Sequence, residues 1–548
     1  MTVVRFLAAT TLVAAAPLFA QTSAARVDSI FSFATTQTPG CAVGVSQKGQ
    51  TTLNRSYGLA DVDKKIPLSE SSLFDIGSTQ KQFTATSLLL LAQDGGLSLS
   101  DDIHKYLPEL PKYDHKVTID NLITHTSGVR DWTGILPMAA EGTDVATLLL
   151  RQRGLNFEPG TEWLYSNGGF ELAKIIVARA SGMSFADFTR KRIFEPLAMK
   201  STAYVPDILQ GGPNAALGYQ KDGTAWKPFM RLGNNRGGGA IVSTISDMLT
   251  WQNALATGKL GKTVTAQLHE QTKLSNGRTL DYARGVIVDH TPGGTVISHS
   301  GSAAGFSAWM GRVPEYGLAV AVSCNFDPVS ASNLAARVAD LFLPPVDSAA
   351  LALERAKRPV AVSGVDVTSR QGLFLEEKTR APLRLEIVNG RLAVANAMPL
   401  VPVSATSFRP PRPSMFFRSG DDFVLNFVDP DHIEIKSMEG AVTRYTRAQP
   451  IALSAADLAD LDGRYESAEL GSVFELVPGN NSVAMRFENA REKSVEFTPV
   501  ARDMFMARMM VMRIQRDANG KVKGFTYENP VAKGIQFVRA GDRKPGMD

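Results

Sequence analysis

Ser78-Thr79-Gln80-Lys81 puts a hydroxyl and an amine three residues apart, directly after the apolar-polar run Leu73-Phe74-Asp75-Ile76-Gly77. On a helix, residues i and i+3 share a face, so the amine lies beside the hydroxyl. A serine hydroxyl becomes a competent nucleophile when a neighbouring base takes its proton. A helix N-terminus also favours the negative charge that develops there. Alone, the pair is ordinary, because a serine cap followed by a solvated lysine arises often by chance. Two further groups alter that. Tyr165-Ser166-Asn167 stands before an apolar helix pattern. Beside an ammonium a tyrosine is favoured as phenolate, and so as a base, while Asn167 offers an amide to Lys81 or to a substrate carbonyl. His299-Ser300-Gly301 lies between strand runs. Gly301 would let a substrate approach the strand backbone, and the amide of Ser302 could then point at an acyl oxygen.

The elements that must hold these groups are legible from periodicity and punctuation. An apolar strand at 40–46 leads through a turn to a second near 51–58. A helix opens at Ser78 and stops at Gly95-Gly96. Further helices are expected at 168–180, 185–195 and 245–256, the last opened by Thr244 and Asp247 at capping spacing. Strands follow at about 284–289, 294–298, 304–313 and 317–325. Strands at both ends with helices between them predict an α/β (α+β) domain with an antiparallel sheet over 27–345. Past Leu343-Pro344-Pro345 a short charged helix fills the 346–358 linker, and short alternating runs then continue to the end. These predict two all-β modules, 359–450 and 451–548, each a small barrel or sandwich.

Residues 1–20 combine Arg5 with an uncharged, Ala-rich run and read as a secretory leader cleaved after Ala20, too short to anchor the chain in a membrane. The expected location is therefore periplasmic or secreted, with no stable membrane span after cleavage. The 548 residues carry a formal net charge of +4 with acids and bases interspersed, which is no footprint for nucleic acid. Cys41 and Cys324 are the two cysteines; an oxidising compartment permits a bridge between them, but in apolar strand runs they read first as buried free thiols. Gly258-Lys-Leu-Gly-Lys-Thr263 lacks the glycine spacing of a phosphate loop, and His269-Glu270 is not followed by a histidine at zinc-protease spacing. No cofactor and no metal site is expected. Glu158 and Glu162 read as a solvated loop.

Together the three groups resemble the penicillin-recognising serine hydrolases: serine β-lactamases, DD-peptidases and the related esterases and D-aminopeptidases. Three further stretches carry the same resemblance: Asn121-Leu-Ile-Thr-His-Thr-Ser-Gly128, Phe157-Glu-Pro-Gly-Thr-Glu-Trp-Leu-Tyr-Ser-Asn167, and Gly237-Gly-Gly-Ala-Ile-Val-Ser-Thr244 with Ser246-Asp247-Met248. The resemblance implies Ser78 as nucleophile and Lys81 as its proton acceptor or electrostatic partner. It implies Tyr165 as general base and leaving-group acid, and the Ser78 and Ser302 amides as oxyanion hole. Asn167 and His299 would position substrate. Which of Lys81 and Tyr165 takes the first proton stays open. Where that family's β-lactamases and DD-peptidases carry Lys-Thr-Gly, this chain has His299-Ser300-Gly301, which disfavours a substrate carboxylate at that spot. The implied activity is acyl transfer from an ester, amide or peptide to water, of the esterase or D-amino-acid peptidase type, on a small molecule or short peptide. The alternatives are a β-lactamase or DD-carboxypeptidase, or a silent peptidoglycan-binding protein. The three-part layout resembles bacterial D-aminopeptidases, and Leu461-Asp-Gly-Arg-Tyr-Glu-Ser467 is similar to the opening strand of lipocalin-like modules.

Overall fold

A computed structural model describes residues 16–230, 240–347, 349, 360–394, 398–410, 423–437, 442–449, 451–488 and 490–541. The first fifteen residues of the leader, the linker helix beyond residue 349 and Gly237–Gly239 lie outside them. The last residues of the leader run into α1, Ala16–Ile30. No helix among the described residues is long and apolar enough to cross a membrane.

The first domain is built on a six-stranded antiparallel sheet whose ends come from opposite ends of the domain. We label its strands β1 (Cys41–Gln47), β2 (Gln50–Tyr57), β3 (Ile287–Thr291), β4 (Gly294–Ala303), β5 (Phe306–Val313) and β6 (Leu318–Cys324). Their order is β3-β4-β5-β6-β1-β2. Strands β1 and β6 are buried along almost their whole length, as their unbroken apolar runs require of strands covered on both faces. One face is covered by α1 and the helix Ala331–Ala339. The other meets a helical layer that includes α2 (Lys81–Gln93), α3 (Asn167–Ser181) and α4 (Ile245–Thr257). Helix α3 starts where expected because the Ser166 hydroxyl accepts from the amide of Gly169, and it ends on Gly182 at φ +68°. Thr244 caps α4 through the amide of Asp247. The 185–195 helix is α only to Thr189 and finishes as a π turn over Arg190–Phe194.

Cys41 and Cys324 face each other across the β1–β6 ladder and are joined in a disulfide. The expectation of free thiols is therefore corrected. Local sequence could not reveal the pairing, because the partners are 283 residues apart and only sheet order makes them neighbours. Closing so long a loop restricts the unfolded chain, a contribution of roughly 2–5 kcal/mol. Reduction, or Cys41→Ala with Cys324→Ala, should lower the thermal midpoint measured by circular dichroism. An unchanged midpoint would show that the bridge does not contribute to stability.

The two C-terminal modules are all-β. The middle one is a nine-stranded antiparallel sheet whose central ladder pairs Gly372–Glu376 with Val442–Arg447. The last is a closed eight-stranded barrel running from Gly463–Ser467 to Ala532–Arg539. Its interior is filled by side chains such as Phe474, Phe497, Phe525 and Phe537, all without exposure. A barrel of this strand number is just wide enough for its own side chains. The barrel docks on the first domain. Arg130 and Glu469 form an ion pair whose side chains are 4% and 2% exposed. The Ser472 hydroxyl donates to the carbonyl of Met138 at 2.7 Å, and Asn156 bonds the 531–533 backbone in both directions.

Candidate active site

Ser78 sits in a turn of 3₁₀ helix, Gly77–Gln80, that runs straight into α2. Gly77 has φ +51°, a conformation that glycine adopts without penalty. The Asp75 carboxylate accepts from the Gly77 amide at 2.9 Å and fixes the turn. The Lys81 ammonium, 3% exposed, donates to Ser78 Oγ at 3.1 Å and to Asn167 Oδ1 at 2.9 Å. It also lies over the Tyr165 ring, 4.7 Å from the centroid. Burial pushes its pKa down to about 8, partly opposed by the carboxylates of Asp131 and Glu171. The expected i, i+3 geometry is realised, and Asn167 takes the Lys81 option of the two open to it.

Tyr165 bonds Ser78 through its hydroxyl, but burial holds that hydroxyl protonated, its pKa well above the ordinary value. The Ser78 contact offsets this only partly, and the Asp131 carboxylate reinforces it. The expected phenolate is thus corrected: an ammonium next to the ring face does not compensate for removing the phenolate from water.

Ser302 stands at the open end of β4, on the wall of the same cleft as Ser78, Lys81, Tyr165 and Asn167. A methyl group at Gly301 would lie 2.0 Å from the Ile76 carbonyl and 3.1 Å from the Ser78 nitrogen. One at Gly77 would lie 2.8 Å from the Ser302 nitrogen. Both glycines thus let the nucleophile turn and strand β4 touch backbone to backbone, which brings the two amides together. The space expected beside Gly301 for substrate is taken by this turn.

His299 is placed differently from its expected contact with substrate. It is 1% exposed and off the cleft wall, and its ring nitrogens meet the Tyr282 hydroxyl at 3.0 Å and the Ser300 carbonyl at 2.5 Å. Burial and the nearby Lys81 ammonium push its pKa down to about 3, so the ring is neutral. By alternation His299 shares the face of Gly301, which meets the nucleophile turn, but there it lies beside Tyr282, whose hydroxyl it bonds, and Tyr165, its ring centroid 6.4 Å away, and is closed off from solvent.

Asp131, Trp132 and Thr133 have no counterpart in the sequence reading. The Asp131 carboxylate is 2% exposed and accepts from the amides of Thr133, at 2.8 Å, and Asn167. Trp132 and Thr133 line the cleft. The amide of Asp131 donates to the carbonyl of Val531 in the barrel at 3.0 Å, and Asn529 donates to the Gly134 carbonyl at 2.7 Å. The barrel therefore supports this wall from behind. Nothing in the local pattern around 131 announces that role, since the contact spans four hundred residues.

Residues 19–343 match the family description Beta-lactamase. The chain is 31% identical over 294 residues to Penicillin-binding protein 4* of Bacillus subtilis (strain 168), covering 49% of this chain and 64% of that protein. It is 24% identical over 527 residues to the D-aminopeptidase of Brucella abortus (strain S19), covering 91% of this chain and 96% of the relative. Among solved structures, the octameric penicillin-binding protein homologue from Pyrococcus abyssi has 19% identity and a TM-score of 0.51, over 87% of this chain and 99% of that one. The penicillin binding protein from Bacillus halodurans has 24% identity and a TM-score of 0.50, over 58% of this chain and all of that one. At these identities the two structures speak for the fold. With the family matched over most of its length and a serine, a lysine and a tyrosine meeting in one cleft, the chain belongs to the beta-lactamase family of serine hydrolases.

Proposed function

We propose that Ser78 attacks ester or amide carbonyls to form an acyl-enzyme, with Lys81 as the first proton acceptor. The observation that carries this is the buried Lys81 amine, 3.1 Å from Ser78 Oγ with its pKa near 8. A base poised near the working pH gives the best balance of free base and proton affinity. Lys81 Nζ takes the hydroxyl proton as Oγ bonds the acyl carbon, and the amides of Ser78 and Ser302 receive the oxyanion. Tyr165, neutral and bonded to Ser78, passes its proton to the leaving nitrogen or oxygen and is refilled by the Lys81 ammonium. A water then repeats the steps and releases the acid. Because the active form holds Lys81 unprotonated, kcat/KM should rise about tenfold per pH unit below 8 and level off above it. A flat profile between pH 6 and 9 would exclude Lys81 as the base.

The substrate class follows from the cleft. His299 is neutral and buried, so it supplies no cation for a substrate carboxylate. The Glu171 carboxylate, one helical turn beyond Asn167, lines the cleft and is ion-paired with Lys174 at 2.9 Å, so this end of the cleft holds both charges. The relative named D-aminopeptidase, matched over nearly its full length, supports an N-terminal D-amino acid amide or short peptide. In a panel of p-nitrophenyl esters, D-amino acid p-nitroanilides and nitrocefin, the esters and anilides should turn over faster than nitrocefin. The reverse order would favour the β-lactamase or DD-carboxypeptidase reading. The Arg5-led apolar leader and the disulfide together support export to the periplasm or medium.

A further inference from the structure

We propose that His125 and Tyr282 are positioning residues which, with His299, form a hydrogen-bond chain of fixed direction between the middle residues of the Tyr165-Ser166-Asn167 and His299-Ser300-Gly301 motifs. It lies beyond the reaction proposed above, since neither residue borders the cleft around Ser78. The direction follows from the ends. The Ser166 amide can only donate, and it donates to His125 Nδ1 at 3.0 Å. A neutral imidazole with a bare Nδ1 carries its hydrogen on Nε2. That N–H meets the Tyr282 hydroxyl at 3.0 Å. The hydroxyl oxygen accepts, so its own hydrogen goes to His299 Nε2, also at 3.0 Å. His299 is then protonated on Nδ1 and donates to the Ser300 carbonyl, which can only accept. Both ends are backbone atoms with one possible role each, so the two histidines hold opposite tautomers.

His125, Tyr282 and His299 are each less than 5% exposed. Burial and the Lys81 ammonium keep both rings neutral, His125 well below its ordinary pKa. An ionised histidine could not accept, and the chain would break. Each member is satisfied only by the next, and a buried polar atom left without a partner is costly. The Tyr165 ring packs on His125, centroids 4.3 Å apart, with His299 6.4 Å away. The chain thus spaces the loop that aims Tyr165 at Ser78 from the strand that carries the Ser302 amide. It also gives His299 a task that does not need contact with substrate.

The test is nitrogen NMR on full-length protein labelled with 15N-histidine, together with Tyr282→Phe, which removes the hydroxyl and keeps the ring. In the unaltered protein, His125 should appear protonated on Nε2 and His299 on Nδ1, neither titrating between pH 5.5 and 8.5. Tyr282→Phe should lower kcat for a p-nitrophenyl ester about 10–100-fold, as a misplacement near 1 Å does, with KM within about threefold. His125→Gln, which can accept and donate in the same order, should retain more kcat than His125→Leu. The same tautomer at both histidines, titration of either in that range, or unchanged kcat in Tyr282→Phe would overturn the proposal. The tautomers are read without substrate, so they stand or fall separately from the proposed reaction.

Discussion

Ser78→Ala should abolish hydrolysis of every substrate, a loss of about 10⁶-fold in kcat, equivalent to roughly 8 kcal/mol of barrier. The size follows from the arrangement. Lys81 and Tyr165 both bond Ser78, so without its oxygen neither has a proton to move. What would remain is binding and oxyanion stabilisation alone. The side chain is small, and Lys81 keeps its bond to Asn167, so the fold should survive. A fluorophosphonate should add covalently to the unaltered protein, with the matching mass on the peptide holding residue 78. The variant should not label. Turnover or labelling in Ser78→Ala would refute the nucleophile assignment, and failure of the unaltered protein to label would favour the silent binding protein.

The second large effect is on stability and lies away from the chemistry. Glu469→Ala should destabilise the protein by about 3–5 kcal/mol, because it strands the buried Arg130 guanidinium without a counter-charge. The loss is compounded at the backbone: Glu469 also accepts from the amides of Arg153 at 2.8 Å and Gln536 at 3.2 Å. The first thermal transition should fall by more than about 5 °C. Because Arg130 directly precedes Asp131, whose amide is held by Val531 and whose carboxylate holds Asn167, kcat should fall as well. Exposed pairs offer the control. Lys227 and Asp222, both more than half exposed, should contribute under about 1 kcal/mol. A Glu469→Ala variant with the stability and kcat of the unaltered protein would show that the barrel does not support the cleft.

The comparison of sequence and structure turns on distance along the chain. Helices α2, α3 and α4 were legible, and for α4 its Thr244 cap as well, because periodicity and capping are local. So were the two β modules and the four late strands, which alternation and turn residues announce, although β4 runs on through His299-Ser300-Gly301 to Ala303, past the break expected after residue 298. Ser78, Lys81, Tyr165 and Asn167 could be named because each belongs to a short motif on such an element. Their roles could not be fixed in the same way. The protonated state of Tyr165 and the depressed pKa of Lys81 depend on burial, which arises only when α2, α3 and the sheet close around them. Alternation puts His299 on the face of Gly301 that meets the turn at 76–78, but only the packing of Tyr165 and Tyr282 around it decides that it is buried and not open to substrate.

The sequence by itself determined the chemical groups, the helices and strands that carry them, and the three-part order of the chain. Tertiary structure alone decided the Cys41–Cys324 bridge, the Arg130–Glu469 pair, the barrel behind Asp131 and the alignment of His125, Tyr282 and His299. The reason is physical. Hydrophobic periodicity and caps are properties of neighbouring residues, whereas desolvation, hydrogen-bond direction and charge pairing belong to groups that meet only after the chain has closed loops of tens to hundreds of residues.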